Sequence, residues 1–261
     1  MGYSFINDKT LPLVIFLHGN GGSGRASAFE SKLNRIADSE NFIAVYPDGY
    51  KKSWNDARNK TIASKEGIND ILFLNELIKT LINNYPVNER KIYLAGVSNG
   101  GFMVQTFVFN TDVPIAAIAS IIATFPKNLD ITCNLNNISI MYILGTKDPY
   151  VPYNGGTVAG KNSGEVYSAN ESINFWKKKN NCSEDIKIKI YPDIKNDNVN
   201  VKKITYSECN NTEVVLIKMI NGGHQYPNGI KIPTAGNKCR DINATKEIWM
   251  FFSKHSSTRN N

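Results

Sequence analysis

The sequence predicts an α/β fold, with a mainly parallel central sheet flanked by helices, and three observations carry that prediction. Short apolar runs alternate with amphipathic stretches, the pattern of successive strand–helix units. The clearest run, Leu11–Leu17, is continuously apolar with β-branched residues, as in a strand buried on both faces. Loops rich in glycine follow several of these runs, among them His18-Gly19-Asn20-Gly21-Gly22 and Gly96-Val97-Ser98-Asn99-Gly100-Gly101.

In order, Leu11–Leu17 reads as the first strand, Phe29–Ser39 as a helix by its period, and Phe42–Tyr46 as a strand broken by Pro47-Asp48-Gly49. Asn69–Asn84 carries Ile71, Leu72, Leu74, Leu77, Ile78, Leu81 and Ile82 as a helical stripe that Pro86 ends. Lys91–Ala95 is a strand, and a helical run starts near Phe102. Ile115–Ile121 and Ile138–Leu144 are strands, and Ser168–Lys178 is a helix closing on Lys177-Lys178-Lys179. Ile186–Tyr191 and Val214–Ile220 are late strands, and Ala244–Lys254 is the last helix. The polar stretch from Glu184 to Glu213 is expected to hold strands joined by an exposed loop.

A length of 261 residues suits a single domain over 1–261, with its core over about 11–254. The apolar runs are too short to span a bilayer. Met1-Gly2-Tyr3-Ser4 has no basic segment leading into an apolar one, so no signal peptide is read at this start, an absence that processing would equally produce. The net charge is +7, but the lysines are scattered and no nucleic-acid motif is present, so the charge reads as solvated surface and no nucleic-acid partner is expected. Four cysteines, Cys133, Cys182, Cys209 and Cys239, lack metal-ligand spacing, so no metal is expected. Two disulfides of an exported protein and four buried thiols fit that count equally.

Gly96-Val97-Ser98-Asn99-Gly100 matches G-x-S-x-G between an apolar strand and a helix. Such a turn holds a serine on a strained backbone, with glycines two residues to either side because side chains there collide. Ser98 is the candidate nucleophile. A base is needed, and the chain has three histidines. His18 sits in the loop after the first strand, where a histidine braces the loop. His255 lies in a polar tail. His224, in Asn221-Gly222-Gly223-His224-Gln225 straight after a strand, is the candidate base. The third member is expected after a strand between the two, which selects Asp148 in Gly145-Thr146-Lys147-Asp148-Pro149 over Asp130, Asp193 and Asp197. The oxyanion donors are expected to be the backbone N–H groups of Asn99 and Asn20, with Gly21 as the alternative to Asn20.

These segments resemble the polyhydroxybutyrate-depolymerase-like esterases, a family related to feruloyl and acetylxylan esterases, within the α/β-hydrolase fold. Leu11 to Gly19 resembles the first catalytic loop. Tyr46-Pro47-Asp48-Gly49 with Ser53-Trp54-Asn55-Asp56 is similar to the second, and Arg90 to Gly101 to the nucleophile segment. Gly145 to Pro149 with Pro152-Tyr153-Asn154-Gly155-Gly156 looks like the acid loop, and Gly223-His224 with Pro227 like the histidine loop. The likeness runs from about Leu11 to Lys254, although Tyr226 stands where an indole is common and Asn221 where a glycine is common. It implies hydrolysis of carboxylic esters without metal or cofactor, on short hydroxyalkanoate or on feruloyl or acetyl polysaccharide esters, and so an ester partner that can be polymeric. It also implies a secreted or periplasmic location. Cys182 and Cys209 resemble a family disulfide, which leaves Cys133 and Cys239 as the second pair. The rivals are a peptidase or acyltransferase on the same fold, and a binding protein that keeps the fold without activity. The filled serine, histidine and aspartate positions argue against the last.

The position of Trp54, after the strand Phe42–Tyr46, fits a pocket wall and a packing residue equally; with Tyr226 it is the candidate aromatic substrate contact. Between Leu144 and Ser168 the chain is short, polar and Gly-rich, so no large apolar lid is expected.

Overall fold

The structure is a computed structural model that describes residues 10–132, 137–160 and 163–257. The continuous apolar runs become adjacent strands. β1 (Leu11–Leu17), β2 (Ile43–Val45), β3 (Val87–Val97), β4 (Ala117–Ile121) and β5 (Ser139–Gly145) are followed by the short pair β6 (Gly156–Thr157) and β7 (Glu165–Val166), then β8 (Ile186–Ile190), β9 (Asn200–Cys209) and β10 (Thr212–Ile220). The main sheet runs β2-β1-β3-β4-β5-β10-β9-β8. Pairing is parallel from β2 through β10 and antiparallel from β10 to β9 to β8.

Alternate side chains of each central strand go to opposite faces, and helices cover both. Leu13, Ile15 and Leu17 pack with Ile92, Leu94, Ile118 and Tyr142. On that face lie Leu74, Ile78 and Leu81 of α4 (Asp70–Asn84), Met103, Val104 and Phe107 of α5 (Asn99–Val108), and Ile173 and Trp176 of α6 (Ala169–Lys179). Val14 and Phe16 pack with Tyr93, Ala95, Ala119 and Met141 on the other face. Leu33 and Ala37 of α2 (Leu33–Glu40) and Ile248, Trp249 and Phe252 of α7 (Ala244–Phe252) cover it.

Two local features depart from the sequence expectation. The helix expected over Phe29–Ser39 is two, α1 (Gly24–Ser31) and α2, because Lys32 between them is left-handed at φ 55°. A further short helix, α3 (Ile62–Lys65), follows the loop that holds Trp54. The polar stretch after Glu184 holds the antiparallel edge. Its β9–β10 turn is made by Asn210 and Asn211 at φ 49° and 64°, the paired positive values that a tight hairpin requires.

Cys182, just past α6, is bonded to Cys209 at the end of β9. The expected second bond is corrected. Cys239 is a free, buried thiol in the apolar cluster of Ile242 and Ile248, and burial pushes it up to about 11. Its expected partner Cys133 lies outside the described residues. The Cys182–Cys209 bond closes a 27-residue separation, so its replacement by two serines should cost about 2–4 kcal/mol of stability, chiefly by freeing the unfolded chain. Urea denaturation of wild type and the double variant measures this, and an unchanged midpoint would refute it.

Candidate active site

The C-terminal ends of the parallel strands carry the site, where loops of an open α/β sheet meet. β3 ends at Val97, and α5 starts at Asn99. Ser98 alone makes the turn, at φ 53° and ψ −114°, a region that costs a non-glycine residue on the order of 1–3 kcal/mol. The turn is so tight that a Cβ on Gly96 would collide with the Gly100 carbonyl, and a Cβ on Gly100 with the Leu17 carbonyl. These collisions are the physical content of the glycines in the motif.

His224 follows β10 in a loop tied down by His224 N–H to the Ala235 carbonyl at 2.7 Å and Gly223 N–H to the Asn237 carbonyl at 2.8 Å. Its Nε2 lies 3.0 Å from Ser98 Oγ, and its Nδ1 lies 2.7 Å from Asp148 Oδ2. Asp148 follows β5. Its other oxygen accepts the N–H groups of Tyr150 and Val151, each at 2.8 Å, so the carboxylate cannot turn freely. The Asp148 side chain is 3% exposed and that of His224 12%, so the ion is shielded while the imidazole edge reaches solvent. The structure therefore brings together the three residues singled out in the sequence.

His18 braces its loop, as expected of it. Its Nε2 accepts the Gly49 N–H at 2.9 Å, which puts the proton on Nδ1, donating to the Gly19 carbonyl at 2.8 Å. Burial holds its pKa below the ordinary value and keeps it neutral. Gly19 lies against Ser98: a Cβ there would come within 3.6 Å of Ser98 Cβ. The Gly21 N–H is already donated to the Lys52 carbonyl at 2.8 Å. The N–H groups of Asn20 and Asn99 have no partner among the described residues and are open to an acceptor.

Two expected contacts are corrected. Trp54 is fully buried, and its indole N–H donates to the His18 carbonyl at 3.0 Å. Tyr226 is 4% exposed, packs edge-on against Phe16 and pairs its hydroxyl with Thr245 at 2.8 Å. Both are core residues, because each has a buried polar partner for its polar tip. The aromatic that does meet the site is Tyr150, whose ring stands edge-on 5.3 Å from that of His224, with its hydroxyl 2.9 Å from Thr234 Oγ1. The sequence signal for it was its place two residues after Asp148. Sequence reasoning assigned no role to Asp56, which accepts from the Asn99 side chain inside the protein, and missed Arg58, which pairs with Asp56. Among the described residues, the carboxylates that cluster closely enough for a cation are Asp193, Asp197 and Asp241, and none of them belongs to this site.

A mainly parallel sheet with Ser98 on a sharp strand-to-helix turn at its C-terminal edge, facing histidine and aspartate, is the α/β-hydrolase arrangement. The chain belongs to the phospholipase/carboxylesterase family, whose profile matches residues 6–184, a stretch that includes Ser98 and Asp148 and stops before His224. NocK of Nocardia uniformis subsp. tsuyamanensis, named provisionally as an esterase, is 24% identical over 230 residues, 84% of this chain and 66% of that protein. Feruloyl esterase B of Piromyces equi is 27% identical over 191 residues, 69% of this chain and 34% of that enzyme. The matched part of this chain thus spans less than two thirds of these relatives' lengths. An acetyl xylan esterase from Aspergillus awamori shares the fold at a TM-score of 0.58 and 11% identity, over 94% of this chain and 89% of the other.

Proposed function

We propose that the chain is a serine esterase in which Ser98 is the nucleophile, His224 the general base and Asp148 the residue that orients the histidine. The supporting observation is the line of hydrogen bonds from Asp148 Oδ2 through His224 to Ser98 Oγ, at 2.7 and 3.0 Å. With the His224 proton on Nδ1, facing the carboxylate, Nε2 is left to accept the serine proton. Ser98 Oγ then attacks the ester carbonyl, and the Asn20 and Asn99 N–H groups receive the oxyanion. The histidine returns its proton to the leaving alcohol, and water clears the acyl-enzyme by the same route.

The substrate class we propose is short acyl or aryl esters, including hydroxyalkanoate esters and feruloyl or acetyl esters of polysaccharides. It rests on the likeness in sequence and on the chain between β5 and α6, where the described residues form only the short β6–β7 pair and no helical lid. A secreted or periplasmic location fits the Cys182–Cys209 bond. With no apolar cover among the described residues of that stretch, methylenes beyond a short acyl group stay in water and do not gain the roughly 0.8 kcal/mol each that burial gives. Across p-nitrophenyl acetate, butyrate, octanoate and palmitate, kcat/KM should therefore peak at the short end. A steady rise to palmitate would point to a lipase instead. Fluorophosphonate labelling of Ser98, with methyl ferulate, acetylated xylan and a short hydroxyalkanoate polymer as further substrates, tests the chemistry and the class.

A further inference from the structure

The segment from Ser53 to Arg58 lies beside the nucleophile turn, and its Ser53, Trp54, Asp56 and Arg58 side chains are buried. The Trp54 N–H donates to Asn99 Oδ1 at 2.8 Å, and the Trp54 carbonyl accepts from Asn99 Nδ2 at 3.0 Å. Asn99 Nδ2 also donates to Asp56 Oδ2 at 2.5 Å. The same oxygen accepts Arg58 Nη2 at 2.5 Å and Nε at 3.1 Å. Arg58 continues to the Ser163 carbonyl at 3.1 Å and lies 4.0 Å over the ring of Phe102, one turn into α5. Asp56 is fully buried, Arg58 is 6% exposed and Asn99 1%.

A buried ion pair is a poor way to add stability, since desolvation of both charges offsets most of their attraction. What it supplies is direction. A carboxylate pinned by a guanidinium is a strong, fixed acceptor, and it leaves the Asn99 amide one orientation, with its oxygen toward the Trp54 N–H and its nitrogen toward Asp56. Asn99 is the first residue of α5, where the backbone N–H has no partner within the helix. That N–H lies in the Ser98–Asn99 peptide plane, and an anchored Asn99 side chain restrains the tilt of that plane through Cα. On the far side, the Trp54 indole holds the His18 carbonyl, two residues before Asn20.

We propose that Asp56, held by Arg58, is a positioning residue for the oxyanion site: through the Asn99 side chain and the Trp54 backbone it aims the Asn99 N–H, and through the Trp54 indole the same bracket registers the Asn20 loop. The inference rests on the serine-esterase reading. Its consequence is a loss in the transition state alone. Asp56 and Arg58 are buried behind the turn, so substrate affinity does not depend on them, whereas an oxyanion donor is effective only when aimed to within tenths of an ångström.

Two variants test it. Asn99→Ala cuts the link and leaves the ion pair whole. The paired Asp56→Asn/Arg58→Met removes both charges together, so that no lone cation is left buried. In each, the single-turnover acylation rate with p-nitrophenyl acetate should fall about 10- to 100-fold. The dissociation constant for the ester should stay within about twofold, and affinity for a trifluoromethyl ketone, which forms the tetrahedral adduct on Ser98, should fall by the same factor as the rate. A structural role alone would weaken ester and ketone binding together. Acylation within about twofold of wild type in either folded variant, or equal loss of ester and ketone affinity, overturns the proposal. If wild-type Ser98 takes neither fluorophosphonate nor ester, the esterase reading falls and the bracket with it. A reactive wild type with variants at full speed sinks the bracket alone.

Discussion

Replacing Ser98 by alanine should lower kcat on p-nitrophenyl acetate by on the order of 10⁶-fold while leaving the fold in place. Without Oγ no acyl-enzyme forms, and what survives is the help that the oxyanion donors give to water. His224→Ala should cost about as much, because serine and base act as one unit and removing either disables both. The fold should survive because the Ser98 side chain makes its hydrogen bond to His224 alone among the described residues. The strain at φ 53° belongs to the backbone, and alanine carries it as serine does. The measurements are steady-state kinetics and a thermal melt on purified protein, with fluorophosphonate labelling as a control. Wild-type turnover in Ser98→Ala would end the assignment of the nucleophile.

What the sequence revealed of this site depended on whether a property was local. β1, β5 and the buried second half of β3 were legible because strands covered on both faces must be apolar there, whatever they pack against. The polar first half of β3, Val87–Arg90, carries no such mark and lies outside the expected Lys91–Ala95. Ser98 was legible because the turn forbids side chains at Gly96 and Gly100, which leaves a mark at a fixed spacing. His224 followed from elimination among three histidines and its place after a strand, and Asp148 from chain order, each lying in the loop after a strand of the same sheet edge. Trp54 was not legible. An aromatic after a strand can face a pocket or the core, and only the partner at its indole, the His18 carbonyl 36 positions away, decides it. The Asp56–Arg58 pair is two residues apart in an irregular loop, a spacing with no periodicity to betray it, and its target Asn99 comes from another element. The break at Lys32 was hidden for a different reason: a helical period ran through it, and lysine does not announce the left-handed conformation that glycine or asparagine would.

Asp148→Asn should lower kcat by roughly 10⁴-fold, less than removing the nucleophile and through a different cause. Asp148 Oδ1 accepts two backbone N–H groups, from Tyr150 and Val151, so whatever stands there must present an oxygen to them. An asparagine satisfies them only by placing its carbonyl on that side, which turns its NH₂ toward His224 Nδ1. That nitrogen must then accept, and the imidazole proton moves to Nε2, where it faces Ser98 Oγ. A donor now meets the hydroxyl whose proton the base should take, and the developing imidazolium loses its counter-charge. Nothing else need move, because the new side chain is the same size and keeps the same neighbours, so the melting temperature and ester affinity should stay near wild type. Asp148→Ala should also impair turnover, but there the two N–H groups lose their acceptor, and stability should fall as well. The contrast separates an orienting acid from a mere loop brace. A brace would predict that Asp148→Asn, which keeps both loop hydrogen bonds, retains nearly full activity. Turnover of Asp148→Asn within about tenfold of wild type, measured on stably folded protein, would remove Asp148 from the site.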